Sequence, residues 1–240
     1  LMGPLTGYRI WLADEYQQRA NAWMLMVLSM GFVFSTLPVQ ILLPIIGWRW
    51  IFGGIVFLIF IVIALTIFFI PSWNNKINNH HEKNAGSLSD VWKNKFFRST
   101  IPLGLFNYGG IVAIQTLWAG PWMVRVTGYS PLESATGLFW INTTMLVAFF
   151  VFGYILPKIT KIGIESMRIM KFGLPISYLS LLVIIISGEN AGAIHFTIYL
   201  LTSIVLTLTQ PAVALSFPTS LAGKSLTSFN LLIFVGTFVM

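Results

Sequence analysis

Seven carboxylates and three imidazoles make up the acid–base inventory of the 240 residues. Asp14, Glu15, Glu82, Asp90, Glu133, Glu165 and Glu189 all fall in polar connectors or at the ends of apolar runs. None stands inside an apolar run, where an ionisable group is a functional candidate by default. His80 and His81 sit together in an Asn-rich stretch, and His195 lies far from both. The chain has no cysteine, so it offers no thiolate nucleophile, no thiolate metal site and no disulfide framework. No pair of carboxylates accompanies the two adjacent histidines, and a Ser/His/Asp set could only be assembled across loops. The pattern therefore offers no metal site and no catalytic residues, and calls for no cofactor. Glu133 is the one acid placed to exchange a proton at the mouth of an apolar run. Its simpler role is that of a negative charge at a helix N-terminus, where the dipole favours it.

The polar residues that do show a pattern are uncharged. Asn107, Ile111, Gln115, Trp118 and Trp122 are spaced at steps of 4, 4, 3 and 4, which places amides and indoles on one helical stripe. Tyr199, Ser203, Leu206 and Gln210 form a similar stripe at steps of 4, 3 and 4. Amide groups are costly against hydrocarbon. Each stripe therefore faces either a water-filled cavity or another helix, to which its polar groups hydrogen-bond. Hydroxyls near Ser203 can also satisfy themselves on their own helix backbone. Asn142-Thr143-Thr144 matches a glycosylation sequon but falls in the middle of a helix and is set aside.

The elements that position these residues follow from composition. The chain is 56% hydrophobic and 9% charged, whereas soluble domains carry about 25% charged residues. It is an integral membrane protein of all-α class. At about 20 apolar residues per crossing, Leu1–Tyr8 is the tail of one helix and Ala22–Ile46 the first full span, with kinks expected at Pro38 and Pro44. Gly47-Trp48-Arg49-Trp50 is a surface turn, and Ile51–Ile70 the second span. Further spans cover Ile101–Met123, Ser134–Leu156, Ile169–Ser187 and Gly192–Leu215. A polar turn over Phe217–Lys224 leads to a last, partial helix from Ser225. The expected fold is thus six full spans with a partial one at each end. Residues 1–70 and 101–240 form two helical blocks joined by a basic linker, 71–100, which ends in an amphipathic surface helix over Trp92–Arg98.

Alternating the loops across a membrane puts Arg9, Arg19, Lys76, Lys83, Lys93, Lys95, Arg98, Lys158, Lys161, Arg168, Lys171 and Lys224 on one side. Only Arg49 and Arg125 fall on the other. The positive-inside bias assigns the first side, with the linker, to the cytoplasm. The net charge of +7 is explained by these loops, and nucleic acid is not an expected partner; the lipid bilayer is.

Three stretches resemble the major facilitator superfamily, in particular bacterial drug- or metabolite-type members. Gly3-Pro4 through Arg19-Ala20 to Gly47-Trp48-Arg49-Trp50-Ile51-Phe52 looks like the end of helix four, helix five and the outer turn into helix six. The basic linker looks like the hinge between two six-helix halves. Phe217-Pro218 through Leu221-Ala222-Gly223-Lys224 to Asn230-Leu231 is similar to the junction of helices ten and eleven. The chain departs from the family pattern at Gly153–Arg168, which keeps Gly153, Lys158 and Gly163 but lacks an Asp-Arg pair. Ser35-Thr36-Leu37-Pro38 also stands where many drug–proton antiporters carry Gly-Pro-x-x-Gly-Gly, so drug antiport is not supported.

The resemblance implies a bundle of twelve helices, of which this chain supplies the end of helix four through helix eleven. It implies secondary transport of a small solute by alternating access in a bacterial inner membrane, with a proton or cation as the coupling ion. Asn107, Gln115, Trp118, Tyr199 and Gln210 are then the expected cavity contacts, and Glu133 the one candidate for coupling. A chain without the other helices is not expected to transport alone. The competing readings are a non-transporting sensor or structural membrane protein and, less favoured by the dispersed acids, a membrane-embedded enzyme.

Overall fold

The computed structural model describes residues 7–8, 12–69, 86–163 and 165–240. The first half of the expected linker, with His80 and His81, lies outside the described residues, as does most of the expected helix tail at 1–8. Every regular element among the described residues is helical. The fold is an all-α, polytopic membrane protein. Five described helices are long and apolar enough to cross a membrane, namely Leu37–Phe69, Pro131–Ile159, Ser166–Asn190, Ala193–Leu215 and Ser220–Val239.

The front block begins with α1, Asp14–Ser35, and continues into α2, Leu37–Phe69. The expected single span Ala22–Ile46 is therefore divided. Pro38 has no N–H to give the Phe34 carbonyl and its ring crowds that turn, and the helix breaks at Thr36. The Ser35 and Thr36 hydroxyls donate to the carbonyls of Phe32 and Val33 at the break. Pro44 stays within α2, and the next break falls at Gly47, whose backbone (φ 74°, ψ 160°) only glycine adopts readily. Trp48, Arg49 and Trp50 are already helical, so the expected four-residue turn is reduced to one residue. Arg49 lies over the Trp48 ring at 4.6 Å.

At the end of the linker, the single surface helix expected over Trp92–Arg98 is divided at Asn94 into α3 (Leu88–Lys93) and α4 (Lys95–Pro102), with Val91 and Phe97 fully buried. Ser87 and Asp90 close a capping box on α3, and the Asn94 side chain caps α4. The third span is one unbroken helical path from Lys95 to Arg125. Along it, α4 gives way to a π segment Leu103–Tyr108, then α5 (Gly109–Ala113), a second π segment Ile114–Trp118, and α6 (Ala119–Arg125). Next come α7 (Pro131–Lys161) and α8 (Ser166–Ser187). The path after α8 comprises α9 (Ala193–Thr202), a 3₁₀ segment Ser203–Leu208 and α10 (Thr209–Leu215). The last helix, α11, covers Thr219–Val239. It starts six residues before the expected Ser225, so most of the anticipated turn 217–224 is helix and α11 is long enough to cross a membrane. Lys224 is accommodated there because its Nζ donates to the Gly86 carbonyl at 2.9 Å.

The most extensive helix pairing is α1 along α7. Gly153 makes it close: a Cβ there would meet Ala22 and Trp23. Within the back block α11 lies against the first π segment and α5, and the backbones at Gly236 and Leu105 approach so closely that any side chain at 236 would collide with the Leu105 carbonyl. Met123, Ile141, Phe196 and Leu200 form one buried cluster, and Val91, Phe97, Val213 and Phe229 another.

Candidate solute cavity

Between α1 and the back block lies a cavity of about 200 Å³. The α1 wall presents Leu25, Leu28, Ser29 and Phe32. Opposite stand Tyr108, Ile111, Val112, Gln115 and Thr116 from the third span, Met145 and Phe149 from α7, and Leu200, Ser203, Ile204, Leu206, Thr207 and Gln210 from the 193–215 path. Asn230, Ile233 and Phe234 of α11 complete it. Among the described residues the lining carries no charged side chain.

The polar groups on these walls differ in how fully they are satisfied. Thr116 and Ser203 bond the carbonyls four residues back, Val112 and Tyr199, each at 2.7 Å; Thr207 bonds that of Ile204, three back, also at 2.7 Å. Such local bonds leave little donor capacity for anything else. Gln115 donates its amide N–H to Asn142 Oδ1 at 3.0 Å, and Asn142 in turn donates to the Leu138 carbonyl at 2.9 Å. Gln210 is only 1% exposed and its Oε1 has no hydrogen-bond partner. An unpaired buried amide oxygen forfeits about 1–3 kcal/mol, which a ligand donor would recover.

The front wall is held by polar contacts at depth. Asn21, buried, donates to the Thr207 carbonyl at 3.0 Å, and Gln18 donates to Ser166 Oγ at 2.6 Å. Arg19 lies over the Trp23 ring at 4.2 Å. A second depression, bounded by Ser35, Thr36, Gln40, Gly120, Val124, Arg125 and Ser134, lies at the other end of α1.

Of the expected contacts, the structure brings Gln115 and Gln210 to one cavity. Tyr199 is buried beside it, packed with Met123 and Ile141, and its carbonyl receives the Ser203 hydroxyl. Asn107 instead pairs with the Tyr178 hydroxyl of α8. Trp118 is 53% exposed and donates its indole N–H to the Met240 carbonyl at 3.1 Å. The stripe is split because each π segment holds an extra residue per turn and rotates the helix beyond it, sending Asn107, Gln115 and Trp118 to different neighbours. Glu133 is exposed and lies off the cavity walls. Its Oε2 accepts from the Ser130 N–H at 2.8 Å, while its own N–H donates to Ser130 Oγ at 3.2 Å. That is a reciprocal N-terminal cap on α7.

Sequence reasoning missed Asn21, Ser29 and Asn142. Asn21 and Ser29 are buried polar residues of α1, a helix to which the sequence reading assigns no polar stripe. The signal for Asn142 was its mid-helix position, one amide facing another across helices. Among the described residues no cluster of three or more His, Asp or Glu could hold a metal ion.

The family model of the Major Facilitator Superfamily matches residues 10–240. No curated protein and no solved structure matches the chain. The match spans nearly the whole sequence, and the chain belongs to the major facilitator superfamily, a family of membrane transporters.

Proposed function

We propose that this chain contributes to a secondary transporter that carries a small solute by alternating access, and that the cavity between α1 and the back block is its solute site. In this reading residues 1–70 belong to one rocking half, 101–240 form the other, and 71–100 is the cytoplasmic hinge. Repeat-built transporters place their substrate near the midplane between such halves. The observation that carries the reading is Gln210, buried on the cavity wall with an amide oxygen no protein group satisfies. Gln115, held in place by Asn142, is the second contact. Tyr199, Asn107 and Trp118 support or flank this site. In this reading Glu133 caps its helix, and coupling to a proton or cation is carried by another group.

The test is a thermal-stability screen of small solutes against the purified protein and a Gln115→Leu/Gln210→Leu double variant. A ligand at a hundredfold excess over its Kd stabilises by about 2.7 kcal/mol. At least one solute is expected to raise the melting temperature of the wild type and leave the double variant unmoved. Equal stabilisation of both proteins by every active solute, or no active solute at all, would overturn the assignment.

A further inference from the structure

We infer that the solute this cavity accepts is uncharged, largely apolar and equipped with a hydrogen-bond donor that meets Gln210 Oε1. The inference rests on the reading of the cavity as the solute site and narrows it to a chemical class. The walls offer no counter-charge, and the only ionisable group among the described lining residues is the Tyr108 phenol. An ion entering here would exchange its hydration for aliphatic and aromatic carbon with nothing to neutralise it. Three of the lining hydroxyls, those of Thr116, Ser203 and Thr207, are committed to their own helices. Gln115 has given an N–H to Asn142. Among the described lining atoms, the one both fully buried and without a partner is an acceptor, the oxygen of Gln210. A ligand O–H or N–H completes that group, whereas a ligand that only accepts leaves it unpaired. Apolar bulk then packs against Phe32, Phe149 and Phe234.

The absence of cysteine makes the test specific, because Ser203→Cys places the sole thiol of the protein on the cavity wall. Three thiosulfonate reagents of similar size are compared, carrying butyl, sulfonatoethyl and trimethylammonioethyl groups. Rates are normalised to Ser216→Cys, an exposed turn position. The butyl reagent is expected to label the cavity about tenfold or more faster than either charged one. 4-Propylphenol should protect the thiol at roughly fivefold lower concentration than 4-propylanisole, the difference being one donated hydrogen bond. Gln210→Leu should erase that difference, and Gln210→Met repeats the test should the leucine variant fail to fold. Equal normalised rates for a charged reagent, or equal protection by the two probes in the parent protein, overturn the solute class and leave the site reading standing. A phenol preference that survives both Gln210 variants removes Gln210 from the assignment. Failure of all three reagents to reach the thiol shows a closed cavity and takes the site reading down with it.

Discussion

Helix α2 and the 193–215 path are both long, apolar and able to cross a membrane, yet they are used in opposite ways. No residue of α2 is buried, and side chains such as Phe57, Phe68 and Phe69 are well over half exposed. In the 193–215 segment about two thirds of the apolar stretch is buried. The more apolar helix is the less packed one. Hydrophobic residues alone bring a helix into the bilayer, where lipid tails satisfy them as well as protein does. What draws a helix into the bundle is its small and polar residues. The path carries Ser203, Thr207, Thr209 and Gln210, all buried, while within α2 Thr66 bonds its own helix at the Val62 carbonyl.

Variants can break this contrast at several depths. The largest effect is expected at Gly236, where α11 meets the Leu105 backbone. Gly236→Leu should cost about 3 kcal/mol or more through overpacking and leave little folded protein in detergent size-exclusion chromatography. Gly53→Leu, with open space around its Cβ position, should leave the elution profile unchanged; if it unfolds the protein, α2 is packed after all. At the junction of front and back blocks, Gly153→Leu would push against Trp23 and Ala22. It should cost about 1–3 kcal/mol, read as a lower melting temperature together with faster proteolysis of α1 than of the back block.

Smaller effects separate polar clamps from polar ornaments. Asn142→Leu strands the Gln115 amide and should cost about 1–2 kcal/mol, with a matching loss of solute-induced stabilisation. Thr66→Val on α2 should do neither. The mildest change is Glu133→Gln, which weakens the cap with Ser130. It should lower the melting temperature less than Asn142→Leu and leave solute affinity untouched, as measured by thermal shift. A large loss of affinity in Glu133→Gln would mean that the carboxylate does more than cap its helix.

Much of the architecture was legible because apolar length and loop charge are properties of single segments. The spans at α7, α8 and 193–215 agree with their sequence bounds to within a few residues. Gln115 and Gln210 were legible because an amide in an apolar run must find a polar surrounding. A uniform helical period puts Asn107 and Trp118 on the same wall, and the π segments at Leu103–Tyr108 and Ile114–Trp118 depart from that period. Asn21 was missed because it adjoins the polar connector and reads as part of it, although its amide is buried against Thr207. Lys224 suggested a turn, since a charge in an apolar helix looks costly until its carbonyl partner at Gly86 is known. The bareness of α2 was not legible at all, because hydropathy records that a helix leaves water and not what it packs against.

The central claim is that α1 and the back block move against each other around the cavity. Double electron–electron resonance on two nitroxide pairs tests it in a protein that needs no cysteine removed. One pair, Tyr16→Cys with Met167→Cys, sits at the α1 end joined by Gln18 and Ser166; the other, Ser35→Cys with Val124→Cys, spans the depression at the opposite end. Alternating access predicts two distance populations for each pair, with a bound solute shifting them in opposite senses, one end closing as the other opens. A single distance for each pair, unchanged by solute, would contradict the account and leave α1 as a fixed wall.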